Sequence, residues 1–334
     1  MSKFLDQYYQ TIKSQEHTIP RVLRKNIDDE IKKRFIEARR LIFTGCGDSY
    51  GVAQFGEWAL QSIGIPSAAI SPTEIEQVYL GNDGMLVAVT ASGRSIETLR
   101  AMRHAKSRGT PVVLLTDAEH SPASEIADYV LRTDSGVATY DLPPSVTTTS
   151  AIALLLALIS DSDPDISGLV GDLLQLTSKF GTAMRWSETE GRKIGEVLTQ
   201  DGVMFIVSEG ANYVSAQVGA MKFSEMSLVR SVVGLTEEFR HHQVLSLQCG
   251  DRVILIGNRF QNPSDDVFMS VVASLGARPI YVNCARATGI GFPLVQVIPH
   301  IIALQMAAYH GASMSEPDLK GFRKPHADAF KIYV

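Results

Sequence analysis

"IFTGCGDSYGVAQFG" (42–56) opens on an apolar run, turns through two glycines and continues with helical spacing. That is the pattern of a strand leading straight into a helix. The pattern returns as "FIVSEGANYVSAQVG" (205–219), at a constant offset of 163 residues. Gly47 then meets Gly210, Tyr50 meets Tyr213, Ala53 meets Ala216, Gln54 meets Gln217 and Gly56 meets Gly219, five identities in fifteen. A Y-x-x-A-Q-x-G core shared by both copies points to a duplicated domain. A repeat on this scale means two similar α/β halves and not a solenoid of short units.

Reading outward, residues 3–38 have helical periodicity, with charges interleaved among Ile, Leu and Phe. Short apolar strands are expected at 40–45, 85–90, 111–117 and 129–133, with helices at 49–64 and 95–109, the latter closed by Gly109. "TSAIALLLALISDS" (149–162) reads as a buried helix. A polar, helix-rich connector follows over 164–200. The pattern then restarts with a strand at 203–208, a helix at 212–227 and a strand at 252–257. Further helix and strand candidates lie at 264–276 and 278–283, and a last long helix near 298–312. Strands alternating with helices imply parallel sheets covered on both faces. The expected divisions are an N-terminal helical segment (1–38), a first α/β domain (39–163), the connector (164–200) and a second α/β domain with a C-terminal tail (201–334).

Bulk properties narrow the function classes. The 334 residues are 45% hydrophobic and 20% charged, the composition of a globular protein, and are enough for two domains. A net charge of −5 excludes a general electrostatic grip on nucleic acid, which needs a basic face. It leaves room for one small anion, which backbone amides and hydroxyls can hold. Cys46, Cys249 and Cys284 form no C-x-x-C pair, and an odd count fits a reducing compartment. The start, "MSKFLDQYYQTIKSQEH", has no signal-peptide character. The longest apolar run, "AIALLLALI" (151–159), is too short to span a bilayer, which takes about 20 helical residues. The expectation is a cytoplasmic protein without membrane or nucleic-acid partners.

Ligands of open parallel sheets bind beyond the carboxyl ends of the strands. Three hydroxyl-rich stretches fall there in the first half: "TGCGDS" (44–49), "TASGRS" (90–95) and "SVTTTS" (145–150). No lysine-bearing G-x-x-x-x-G-K-S/T loop is present. Helix-start amides point at such a ligand, and the helix dipole favours negative charge there. Ser49, Ser92, Ser95 and Thr148 are assigned to a phosphate on this basis. Gly47 and Gly93 let backbone approach it. Any one of these hydroxyls, taken singly, reads better as a helix cap; three such loops in one half favour a shared anion site. "GCGDSYG" misses the dinucleotide fingerprint by one residue, and no acid ends "SAAI" (67–70), so a nicotinamide cofactor is not expected.

The second half supplies the titratable groups. "MKFSEMSLVRSVVGLTEEFRHHQ" (221–243) holds Lys222, Glu225, Glu237, Glu238, His241 and His242. Lys222 and Glu225 share a helix face, where an ion pair is the simple reading. Adjacent histidines diverge on a helix and no H-E-x-x-H occurs, so no metal is expected. A carboxylate and an imidazole suit proton shuttling beside a carbonyl.

Over roughly 20–334 the chain resembles sugar isomerase (SIS) domain proteins. It is similar in particular to the isomerase half of glucosamine-6-phosphate synthase and to stand-alone aminosugar-phosphate deaminases and fructosamine-phosphate deglycases. The family's C-G-T-S loop stands here as Cys46-Gly47-Asp48-Ser49, its S-x-S-G-x-T loop as Thr90-Ala91-Ser92-Gly93-Arg94-Ser95, and its S-T loop as Thr148 and Thr149. Its K-L-K-E-I-S helix stands as Lys222-Phe223-Ser224-Glu225-Met226-Ser227, and its G-E-L-K-H-G segment as Glu237-Glu238-Phe239-Arg240-His241-His242.

The resemblance implies two tandem SIS domains, each a flavodoxin-like sheet with helices on both faces. It adds Thr90 to the phosphate contacts and gives Lys222 and Thr149 supporting places. It makes Glu225 the base that moves a proton between C1 and C2, and His241 the ring-opening residue. Lys331, in "ADAFKIYV", is the candidate Schiff-base lysine, a role that asks for a neutral amine. It also implies a homodimer with the histidine loop donated by the neighbour. Asp48 replaces a neutral threonine, and an acid beside a phosphate is unfavourable unless it points away. The synthase carries an N-terminal glutaminase domain with a leading cysteine; this sequence starts Met-Ser and is expected not to draw ammonia from glutamine. The implied activity is isomerisation with deamination of a glucosamine-6-phosphate or fructosamine-6-phosphate type substrate. The alternatives are a phosphoglucose/phosphomannose isomerase and a non-catalytic sugar-phosphate sensor. No helix-turn-helix in the N-terminal segment supports a DNA-binding regulator.

Overall fold

The computed structural model describes residues 2–162, 168–198, 201–226, 228–321 and 329–334. Helices α1 (Lys3–Leu23) and α2 (Asp29–Glu37) precede β1 (Leu41–Gly45). Asp28 caps α2, its carboxylate accepting the N–H groups of Glu30 and Ile31. There follow α3 (Asp48–Gln61), β2 (Ser67–Ala69), β3 (Met85–Val89), α4 (Ile96–Ser107), β4 (Val112–Thr116), β5 (Tyr129–Arg132) and α5 (Val146–Ser162). The five strands form one parallel sheet in the order β2-β1-β3-β4-β5. Strands β1, β3 and β4 are buried along their whole length, as their unbroken apolar runs require. Ile42, Leu86, Ala88, Val112 and Leu114 pack on Leu99, Met102 and Ala105 of α4. On the opposite face Phe43 lies against α3, where a Cβ on Gly56 would come within 2.4 Å of its ring.

The chain continues through α6 (Leu169–Ser178), α7 (Phe180–Leu198), β6 (Val203–Ser208), α8 (Tyr213–Glu225), β7 (Arg230–Leu235) and α9 (Thr236–His241). It closes with β8 (Arg252–Ile256), α10 (Pro263–Ser274), β9 (Arg278–Val282), α11 (Ala285–Thr288) and α12 (Pro293–Ser315). Strands β6 to β9 form a second parallel sheet, ordered β7-β6-β8-β9. In both sheets the opening strand lies between the next two, and the duplicated segments fall on β1–α3 and β6–α8. Gly47 and Gly210 both have positive φ, 57° and 58°, where an L side chain is strained. A Cβ on Gly219 would meet Leu304 of α12 at 2.4 Å, so the second repeated glycine also serves close helix packing. Among the described residues the second sheet has no counterpart of β5, and β9 is its edge.

Two features differ from the sequence reading. Strand β7 lies where no strand was expected; as an edge strand with alternating exposure and an internal glycine, "RSVVGL" lacks the long apolar run of a central strand. The last helix starts five residues earlier, with Pro293 in its first turn.

The compact units also cut the chain differently. One comprises His17–Val170 and Arg323–Val334, the other Met1–Glu16 and Gly171–Phe322. The expected segment 1–38 is therefore divided within α1. Of the described part of the expected connector, residues 168–170 group with the first sheet and the rest, from Gly171, with the second, and the tail returns to the first. The expected boundary at 163/164 and the connector's last residues, 199 and 200, lie outside the described residues.

Candidate active site

In the first sheet the switch in strand order lies between β1 and β3, and the loops beyond their carboxyl ends flank it. This is where open α/β sheets bind ligands. The loop after β1 runs through Cys46 and Gly47 into α3, whose cap makes no side-chain bond. A Cβ on Gly47 would meet no described atom within 4 Å, so within the protein it is the positive φ, not crowding, that favours glycine here. The loop after β3 turns at Gly93 (φ 68°), where a Cβ would come within 2.1 Å of Ser121 Oγ. Cys46 Sγ lies 3.5 Å from Thr98 Oγ1 in the first turn of α4, tying the two loops together.

The six predicted hydroxyls divide into two groups. Three are engaged within the protein. Thr90 Oγ1 accepts the Gly93 N–H at 3.2 Å and closes the loop. Thr149 Oγ1 donates back to the carbonyls of Ser145 and Val146 in α5. Thr148 Oγ1 donates to Asp48 Oδ2 at 2.7 Å. Ser49, Ser92 and Ser95 have no side-chain hydrogen-bond partner among the described residues. Ser49 and Ser92 are half-buried, and Ser95 is buried at the start of α4. Burial, with Glu74 and Glu57 nearby, pushes the Tyr50 hydroxyl up, so it stays neutral beside the loop.

Asp48, the residue that departs from the family motif, is only 8% exposed at the first position of α3. Its carboxylate gains from the helix dipole and from the Thr148 hydroxyl. The tail completes this end of the sheet. Ile332 C=O accepts the Ile96 N–H at 3.1 Å, and Val334 N–H donates to Arg94 C=O at 3.2 Å. Tyr333 and Ser95 form an antiparallel bridge. Lys331 is exposed, with a left-handed backbone (φ 47°), one residue before this pairing. Sequence reasoning missed the pairing, since a three-residue extended tail has no periodicity.

In the other unit Lys222 is fully buried in α8, and its Nζ lies 2.7 Å from Glu225 Oε2, so the structure brings this pair together. The Glu225 side chain is 26% exposed. Ser227, the last residue of the quoted motif, lies outside the described residues. Helix α9 anchors on buried Phe239, which packs on Phe205 and Phe268. Its polar face pairs Arg240 with Glu237 and His242 with Glu238, the latter at 3.5 Å. His241 ends α9 exposed, and the structure records no partner for it among the described residues. No group of three or more His, Cys, Asp or Glu capable of holding a metal occurs among the described residues. No described helix is long and apolar enough to cross a membrane.

Residues 34–160 match the SIS domain. The match covers β1 to β5 and all three hydroxyl-rich stretches. The glutamine–fructose-6-phosphate aminotransferase (isomerizing) of Pyrococcus horikoshii is 26% identical over 294 residues, 81% of this chain and 48% of that protein. The chain thus spans about half the length of the curated relatives it matches. Among solved structures, the C-terminal domain of glucosamine-fructose-6-phosphate aminotransferase from Francisella tularensis superposes with a TM-score of 0.78 at 18% identity, covering 92% of this chain and 95% of that one. Glucosamine-6-phosphate deaminase from Thermotoga maritima gives 0.73 at 18% identity, over 92% and 95%. The fold is α/β with two parallel sheets, and the stretch that matches the SIS domain holds the first of them. The chain is homologous to the isomerase domain of glucosamine-fructose-6-phosphate aminotransferase.

Proposed function

We propose that the protein is a sugar-phosphate isomerase acting on a phosphorylated amino sugar in the deaminating direction. The observation that carries this reading is the set of unengaged serine hydroxyls, Ser49, Ser92 and Ser95, on two neighbouring loops at the switch point of the first sheet. Together with the starts of α3 and α5, they make a cradle for one phosphate. Tandem SIS domains are part of this reading; the repeated strand order of the second sheet supports it.

The chemistry follows from the remaining groups. His241 passes a proton between the ring oxygen and the anomeric hydroxyl, opening the sugar. Glu225 takes the proton from C2 of the aldose and returns it to C1, giving the ketose-level imine of an amino sugar. Water adds to that carbon, ammonia leaves, and fructose 6-phosphate remains. Lys222 supplies the counter-charge that holds the Glu225 carboxylate in place. Lys331 is the candidate amine for a transient imine at the same carbon. A homodimer with His241 acting from the neighbouring copy belongs to the same proposal.

The test offers hexose and hexosamine 6-phosphates to the protein and follows ammonia and ketose together. Ammonia released from glucosamine 6-phosphate in step with fructose 6-phosphate is the expected result. Interconversion of glucose and fructose 6-phosphates without nitrogen chemistry would replace it with a plain isomerase. Binding without any turnover would replace it with a sensor.

A further inference from the structure

We infer that Asp48 makes the cradle selective for an anion that carries a proton, and so for a phosphate monoester over a sulfate ester. The inference rests on the proposed phosphate site and deepens it. Three observations support it. Asp48 immediately precedes Ser49, one of the three unengaged hydroxyls. It stands at the first turn of α3, 8% exposed, where the related motif has a neutral threonine. Thr148, itself 3% exposed, donates to Asp48 Oδ2 at 2.7 Å. One hydroxyl expected to face the ligand is thereby turned onto a carboxylate, and the cradle gains an acceptor.

An acceptor in an anion site discriminates by proton content. A fully ionised oxyanion presents only lone pairs to a carboxylate and is repelled. A phosphate monoester, whose second pKa is about 6, still carries a P–OH over a large part of its population at that pH and can donate it. A sulfate monoester has no proton to give. The hydrogen bond O–H···O⁻ is of the short, charge-assisted kind. Other charged side chains on the adjoining segments are Arg94 in the loop after β3, Glu97 in the first turn of α4, Glu57 and Glu74 near Tyr50, and Lys331 in the tail. The first turn of α5, which carries Thr148, has no acidic residue.

The experiment measures binding of inorganic phosphate and inorganic sulfate by calorimetry at pH 6, in the parent and in Asp48→Asn and Asp48→Thr. The parent is expected to prefer phosphate about tenfold, the scale of one charged hydrogen bond. Both variants are expected to bring the two anions within about threefold of each other, mainly by improving sulfate. If Asp48→Asn does not fold, Asp48→Thr, which restores the related motif, decides. Equal binding by the parent, an unchanged ratio in the variants, or no binding of either anion overturns the inference. Preference for phosphate that depends on Asp48, without turnover of any hexosamine phosphate, would sink the proposed activity and leave this role standing.

Discussion

Single residues set the protonation states on which this protein depends. His300 is fully buried in α12; its Nε2 accepts the Cys284 N–H at 3.1 Å and its Nδ1 lies 2.9 Å from Asn212 Oδ1. The imidazole is therefore neutral with the proton on Nδ1, and burial pushes its pKa down to about 3. In the unfolded chain it returns to about 6.5. The unfolded state then binds more protons across this window, so lowering the pH costs stability. From pH 6.5 toward 3 the loss is at most about 1.4 kcal/mol per pH unit from this group. Urea unfolding at pH 7.5, 6 and 5 checks the slope, and His300→Gln is expected to flatten it. Such pairings are hard to read in a sequence. His300 is 88 residues from Asn212, and Thr148 is 100 from Asp48. The serines could be singled out in the sequence because each lies where a strand–loop–helix pattern turns; what the threonines bond to could not, because only the folded chain decides it.

At the scale of elements, the repeated strand–glycine–helix unit was legible because both of its glycines meet a fixed geometric demand. The first turns with positive φ in both copies, and the second lets a helix approach its neighbour closely. The cost of violating the second demand follows from packing. Gly56→Ala would drive a methyl into the Phe43 ring, and Gly219→Ala into Leu304. Each is expected to cost about 1–3 kcal/mol, the usual penalty for overfilling a close-packed site. Thermal unfolding reads this directly, and Gly171→Ala, where a Cβ would meet nothing within 4 Å, is the control. Strand β7 escaped the reading for the opposite reason. Only its Gly234 is buried, so its composition reports half-exposed edge surface rather than a core strand.

For the whole molecule, the α/β class and the parallel sheets were legible; the course of the two ends was not. The tail joins the unit that holds the first sheet, and α1 is divided between the units. The proposed division of labour between copies has a decisive measurement. Glu225→Gln and His241→Asn are each expected to lose about two to four orders of magnitude in turnover, the weight of one acid or base group. Mixing the two inactive proteins under conditions that allow subunit exchange is expected to restore part of the activity if the imidazole acts in trans. No recovery in verified mixed dimers would place both groups within one chain.

The edge of the second sheet carries a further consequence. Arg278 N–H bonds inward to Asp251 C=O, so the nitrogen of Pro279 faces outward along β9, and it has no hydrogen to offer. A foreign strand laid against that rim would find its ladder interrupted at the first outward-facing position, beside Arg278. The β9 border is therefore expected to resist templated polymerisation in concentrated solution, which light scattering would read.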